Sequence, residues 1–157
     1  MDLDPHLFGA GQPCFGCATD HPTGFRLRFA REDDGAVVTR FTPTQQHQGP
    51  PGLMHGGLAM TLADEVGAWT LIGSLEKFGF TARFAARLKK PVRIAHEVVG
   101  RGRIVKPGAR IVTVSVVLAQ DDEVAMEAEL DFVLLDVAGA ERLLGAPLPE
   151  AWRLFCR

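Results

Sequence analysis

From Leu58 to Leu75 the chain runs apolar over eighteen positions, broken only by Thr61, Asp64, Glu65, Thr70, Ser74 and two glycines. A helix with no polar stripe cannot lie on a surface and must be covered by other elements. Two acids and two glycines inside the run rule out a membrane span. His55-Gly56-Gly57 stands directly before it, and the pattern predicts a helix over 55–76 with Gly79 as its stop. The glycine pair lets backbone approach a ligand, and a helix start offers unpaired N–H groups to a developing negative charge. Asp64 and Glu65 fall where an ionised carboxylate is costly, which marks them as candidates for chemistry.

What covers such a helix is legible from the flanking periodicity. Residues 1–24 read as an irregular N-terminal segment. Phe25, Leu27 and Phe29, then Val37, Thr39 and Phe41, alternate with other residues across the acidic turn 32–35 and predict a hairpin. Residues 42–54, with three prolines and two glycines, form a loop. Four strands follow at 80–90, 97–105, 110–120 and 123–135. In the first, Ala82, Phe84, Ala86 and Leu88 should face inward and Arg83, Arg87 and Lys89 outward. In the last, Met126, Ala128, Leu130, Phe132 and Leu134 should face inward. Two strands, a buried helix and four strands give an α+β domain over 25–136, an antiparallel sheet curled around one central helix. The tail 137–157 should dock Leu143, Leu144, Trp152, Leu154 or Phe155 on the core or on a neighbour. One helix face stays open in a single chain, so a homodimer is expected, with a dimer of dimers left open.

A length of 157 residues suits one domain with a full core. The formal charge of −2 argues against nucleic-acid binding. Nine of the seventeen basic residues lie between Arg83 and Arg110, where Glu97 is the only acid. That cluster fits either a small phosphate-bearing ligand or solvated strand faces. The N-terminus lacks a signal-peptide pattern, and an odd count of three cysteines makes no disulfide framework, so a cytoplasmic setting is expected. Cys14 and Cys17 form a CxxC with His21 four residues on, short of the four ligands a closed zinc site needs. No strand-to-helix context favours a redox CxxC, so both cysteines read as small packing residues; no metal and no cofactor are expected.

The segment GPPGLMHGGLAMTLAD (49–64), with this element order, resembles the hotdog-fold acyl-CoA thioesterases, and most closely the branch typified by the phenylacetate-pathway thioesterase. That family carries HGG at the start of its central helix and an acid nine residues after the histidine, which here is Asp64. CFGCATDHPTGFRLRF (14–29) is similar to the opening of small members, and the resemblance spans roughly residues 14–135. It implies hydrolysis of a coenzyme A thioester without membrane or nucleic-acid partners. In it Asp64 would be general base or nucleophile, the Gly57 N–H an oxyanion donor, and His55 would position the loop and carbonyl. Gly56, Gln48, Gly49, Thr81 and Arg83 become candidate substrate-binding residues. Gly49 replaces an Asn common in the closest members, which leaves Gln48 or His47 to hold the attacking water. Along a helix, nine residues span about half a turn and about 13 Å. His55 of one subunit would therefore work with Asp64 of another. His55 also fits a simple helix cap, Asp64 a buried hydrogen bond, Thr81 core packing, and Glu65 a structural or interface acid. A hotdog hydratase or dehydratase and a non-catalytic acyl-CoA-binding protein are the alternative functions.

Overall fold

The computed structural model describes residues 1–9 and 11–157. Helix α1 runs Gly56–Leu75, with His55 at its N-cap. The His55 Nδ1 accepts a hydrogen bond from the Gly57 N–H at 3.0 Å, meeting one of the donors that a helix start leaves open. The helix stops before Gly79. Glu76 adopts the left-handed conformation at φ 53° and its N–H closes on the Ile72 carbonyl, so Gly79 opens the next strand instead.

Six antiparallel strands form one sheet: β1 (Phe29–Arg31), β2 (Val37–Phe41), β3 (Gly79–Leu88), β4 (Val98–Lys106), β5 (Ile111–Gln120) and β6 (Glu123–Leu134). Their spatial order is β1-β2-β4-β5-β6-β3, so the strand after the helix lands on the far edge beside β6. Val112, Val114, Val116 and Leu118 of β5 and Leu130 and Phe132 of β6 are buried in one cluster with Leu62, Val66, Trp69 and Leu71 of α1. Each large side chain so buried contributes roughly 2 kcal/mol. On β4, Gly102 lets the helix descend onto the sheet. A Cβ there would stand 2.0 Å from Thr70 Oγ1 and 3.2 Å from Val66 Cγ1.

Two expectations need correction. Strand β1 is only three residues long, although Phe25 and Leu27 are buried as their alternation predicts. Arg26 sits at φ 54°, and the Phe25 and Leu27 N–H groups bond to the carbonyls of Phe15 and Gly16 instead of a partner strand. On β3, Thr81 pairs with Phe132 and Arg83 with Asp131, which leaves Ala82 as the extra residue of a bulge. Ala86 and Leu88 share the inward face of Phe84, opposite Ala128 and Met126, but stay exposed because β3 is an edge strand of the single chain, and only Ala82 leaves the alternation. The helix keeps one face open in the single chain, as expected: Met60 is 39% exposed.

The tail forms two short helices, α2 (Val137–Leu144) and α3 (Glu150–Arg153). Trp152 packs its ring 4.7 Å from Phe8 and 5.0 Å from Phe78, and its Nε1 donates to the Phe8 carbonyl at 3.1 Å. Leu143, Leu144 and Leu154 stay exposed, so only part of the tail's apolar content docks on the core.

Candidate functional site

Asp64 lies mid-helix on the side of α1 that meets β3. The Thr81 hydroxyl donates to its Oδ1 at 2.7 Å. The bulge makes this contact possible. Phe84 pairs with Leu130 and faces the helix, so strict alternation would turn Thr81 away; the extra residue at Ala82 turns it back, opposite the buried Phe132. Burial raises the Asp64 pKa above the ordinary carboxylate value, and the Thr81 hydrogen bond opposes part of that rise.

At the other end of the run, the exposed His55 ring holds the Gly57 N–H, while the Leu58 and Ala59 N–H groups both turn to the His55 carbonyl. Among the described residues, no group accepts from the Gly56 N–H. Gly56 also lines an apolar cleft of about 230 Å³ with Pro50, Met54, Ala59, Leu88 and Val92. Gly49 packs against His55: a Cβ at 49 would stand 3.0 Å from His55 Cα and 3.3 Å from its Cβ, so a side chain there would require His55 to shift.

The two side chains offered as substitutes for that Asn are committed elsewhere. Gln48 Oε1 accepts from the Gly52 N–H at 2.9 Å and closes its own loop. His47 is buried between Phe25 and Phe41, and its Nδ1 accepts from the Thr44 N–H at 2.9 Å. Burial lowers the His47 pKa. Arg83 lies on the opposite sheet face from Thr81 and pairs with Glu129 at 3.2 Å and Asp131 at 3.5 Å. Lys89, Lys90, Arg93, Arg101 and Arg103 of the basic stretch are likewise paired with carboxylates. Much of that stretch is a neutralised, solvated strand surface rather than a phosphate cradle.

Residues 51–127 match the family model of the thioesterase superfamily. A solved thioesterase superfamily protein superposes with TM-score 0.72 at 24% identity, over 85% of this chain and 69% of its own. The fold is the hotdog fold. A hypothetical thioesterase of Streptococcus pneumoniae TIGR4, solved with coenzyme A, superposes at TM-score 0.63 and 20% identity over 68% of this chain and 86% of its own. Thioesterase superfamily member 2 of Mus musculus gives TM-score 0.62 and 20% identity over 68% and 80%. No curated protein sequence matches the chain significantly. The family match spans just under half of the chain, and the fold it falls in is shared with these proteins.

Within this hotdog frame one cluster was missed in the sequence. Cys14, Cys17 and Glu65 bring their donor atoms within 4.8 Å of one another. Cys17 belongs to the core and Cys14 packs against it, as expected, and both also stand beside this acid. The CxxC was visible in the sequence, but its approach to an acid 51 residues away was not.

Proposed function

We propose that the protein hydrolyses an acyl-CoA or a related acyl thioester to free acid and thiol, in the manner of the phenylacetate-pathway branch. The observation that carries this reading is the Asp64 carboxylate, desolvated on the central helix and fixed at one oxygen by Thr81. Its Oδ2 is then left to take a proton from water or to attack the acyl carbon. Burial makes the carboxylate a stronger base than a solvated aspartate. At the helix start the Gly56 and Gly57 N–H groups are the candidate oxyanion donors, and Gly57 serves once the carbonyl replaces the His55 ring as its acceptor. Loss of one such donor typically costs about 100-fold or more in rate. His55 positions this turn.

His55 and Asp64 sit nine residues apart on one unbroken helix, so the site combines them from two subunits. The exposed edge strand β3, with Ala82, Ala86 and Leu88, and the exposed Met60 supply the surface for a homodimer. The Streptococcus pneumoniae neighbour, solved with coenzyme A and also as separate aspartate-to-alanine and threonine-to-alanine variants, supports attention to this carboxylate, this hydroxyl and this ligand class. Gly49, Gln48 and Arg83 are not drawn into the proposed chemistry. Thiol release from a panel of aryl- and acyl-CoAs tests the reading. Turnover that falls at least 100-fold in Asp64→Ala is expected. Absence of thiol release from every substrate, or full activity in Asp64→Ala, overturns it.

A further inference from the structure

Glu65 follows Asp64 directly but points to another part of the molecule. Its carboxyl lies against the Cys14-Phe15-Gly16-Cys17 loop, with Oε1 3.5 Å from Cys14 Sγ. Gly16 makes the approach possible, since a Cβ there would stand 2.1 Å from Glu65 Cδ. The loop folds back on itself: the Ala18 N–H bonds to the Cys14 carbonyl at 3.1 Å. This brings the Cys17 thiol to 2.9 Å from Cys14 Sγ, and the Cys17 N–H also points at that sulfur, at 3.4 Å. Gln12 ties both cysteines down, accepting from the Cys14 N–H at 3.1 Å and donating to Cys17 Sγ at 3.7 Å. Cys14 is partly exposed and Cys17 is buried.

We propose that Cys14 and Cys17 form a thiol–disulfide exchange site, with Cys14 as the attacking thiolate, Cys17 as the resolving thiol, Glu65 as the acceptor of the Cys17 proton, and a low-molecular-weight disulfide as the oxidant. The Cys14 thiolate attacks one sulfur of the external disulfide, forming a mixed disulfide and expelling one thiolate. Cys17 then gives its proton to the Glu65 carboxylate and attacks Cys14 Sγ. The intramolecular disulfide forms, the second external thiolate leaves, and the cysteine pair has passed two electrons to the external disulfide while the Cys17 proton rests on Glu65. The division of labour follows the geometry, because only the more accessible sulfur can meet an external disulfide first. It also follows the electrostatics. Hydrogen bonds from Cys17 lower the Cys14 pKa to about 5, whereas the Cys17 pKa is raised by its bond to Cys14 and by burial. Glu65 stands at about 8, raised by burial and then by the Cys14 charge. The mixed disulfide removes that charge and frees the carboxylate to act as a base. A metal reading is weaker: the cluster offers three donors among the described residues, and a closed zinc site takes four.

The site lies outside the Asp64–Thr81 pair, and its test reads sulfur chemistry rather than hydrolysis. In a Cys156→Ser background, the reduced protein is titrated with oxidised glutathione and followed by intact mass and peptide mapping. A Cys14–Cys17 disulfide without a retained adduct is expected. Cys17→Ser should trap one glutathione on Cys14, and Glu65→Gln should slow resolution of that adduct by about 100-fold. Reduced protein persisting in excess oxidised glutathione overturns the proposal, as does equal labelling of both cysteines. Zinc, added alone, binding one per chain and lost in Cys14→Ser overturns it too. Unchanged resolution in Glu65→Gln overturns the role of Glu65, and the Cys17→Ser trap remains decisive where that variant fails to fold.

Discussion

Replacing Glu65 by glutamine should stabilise the fold, and increasingly so as the pH rises. The carboxyl is packed against the CFGC loop, and burial followed by the Cys14 charge holds its pKa at about 8 against an ordinary 4.5. The titratable groups that act on it are Cys14, Cys17 and Asp64. Below pH 4.5 the side chain is protonated in both folded and unfolded chains and resembles glutamine. Between 4.5 and 8 the unfolded chain releases its proton while the folded chain keeps it, so stability falls with rising pH. Above 8 both states are ionised and the loss stays constant. The slope approaches 1.36 kcal/mol per pH unit, and the whole window is worth on the order of 4 kcal/mol.

Cys14 works in the opposite sense. Its folded pKa of about 5 lies below the ordinary 9.0, so its thiolate adds stability as the pH rises. Both proteins carry that thiolate, and subtracting their unfolding free energies at each pH reads Glu65 together with its coupling to Cys14. Urea denaturation under reducing conditions at pH 5, 7 and 9 provides the measurement. The advantage of Glu65→Gln should be small at pH 5 and reach on the order of 4 kcal/mol at pH 9. A difference that stays flat from pH 5 to pH 9 refutes the argument.

Other sites give independent outcomes. Thr81→Val removes the hydrogen bond that holds the Asp64 pKa down, so the acid limb of the thioesterase pH–rate profile should move to higher pH, and an unmoved limb contradicts the pairing. Gly102→Ala forces a methyl into the space of Thr70 Oγ1 and should destabilise by about 1–3 kcal/mol in urea unfolding, with a cost near zero counting against the close helix–sheet approach. Trp152→Ala strips the ring from Phe8 and Phe78 along with its Nε1 hydrogen bond, and should cost about 3 kcal/mol. A loss below about 0.5 kcal/mol would mean that the tail is not docked in solution.

The central helix and the later strands were readable because their signals are local. An apolar run too long for a strand, preceded by His-Gly-Gly, locates α1 to within a residue. Strands β4, β5 and β6 begin and end within one residue of their period-two stretches. Failures of the reading occur where two distant segments decide the outcome. Phe25 and Leu27 alternate like strand residues, yet the carbonyls of Phe15 and Gly16 capture their N–H groups. Thr81 through Leu88 read as simple alternation, and only pairing with β6 reveals that Ala82 is extra. His47 looked available for a water, but two phenylalanines and a turn donor had already claimed its ring.

The adjacent acids carry this point furthest. Successive residues on a helix diverge by about 100°, so Asp64 and Glu65 cannot serve one site from one chain. One carboxyl meets the bulged edge strand and a hydroxyl; the other meets the CFGC loop and two sulfurs. Each acid is tolerated inside an apolar helix because a different covering element brings it a partner, and among the described residues no buried side-chain nitrogen or oxygen lacks one. The Ala82 bulge and Gly16 are therefore linked to the polar interruptions of the helix. Each is the local departure from regular structure or ordinary side-chain size that lets its covering element reach the acid, and removing either would strand a half-buried carboxyl.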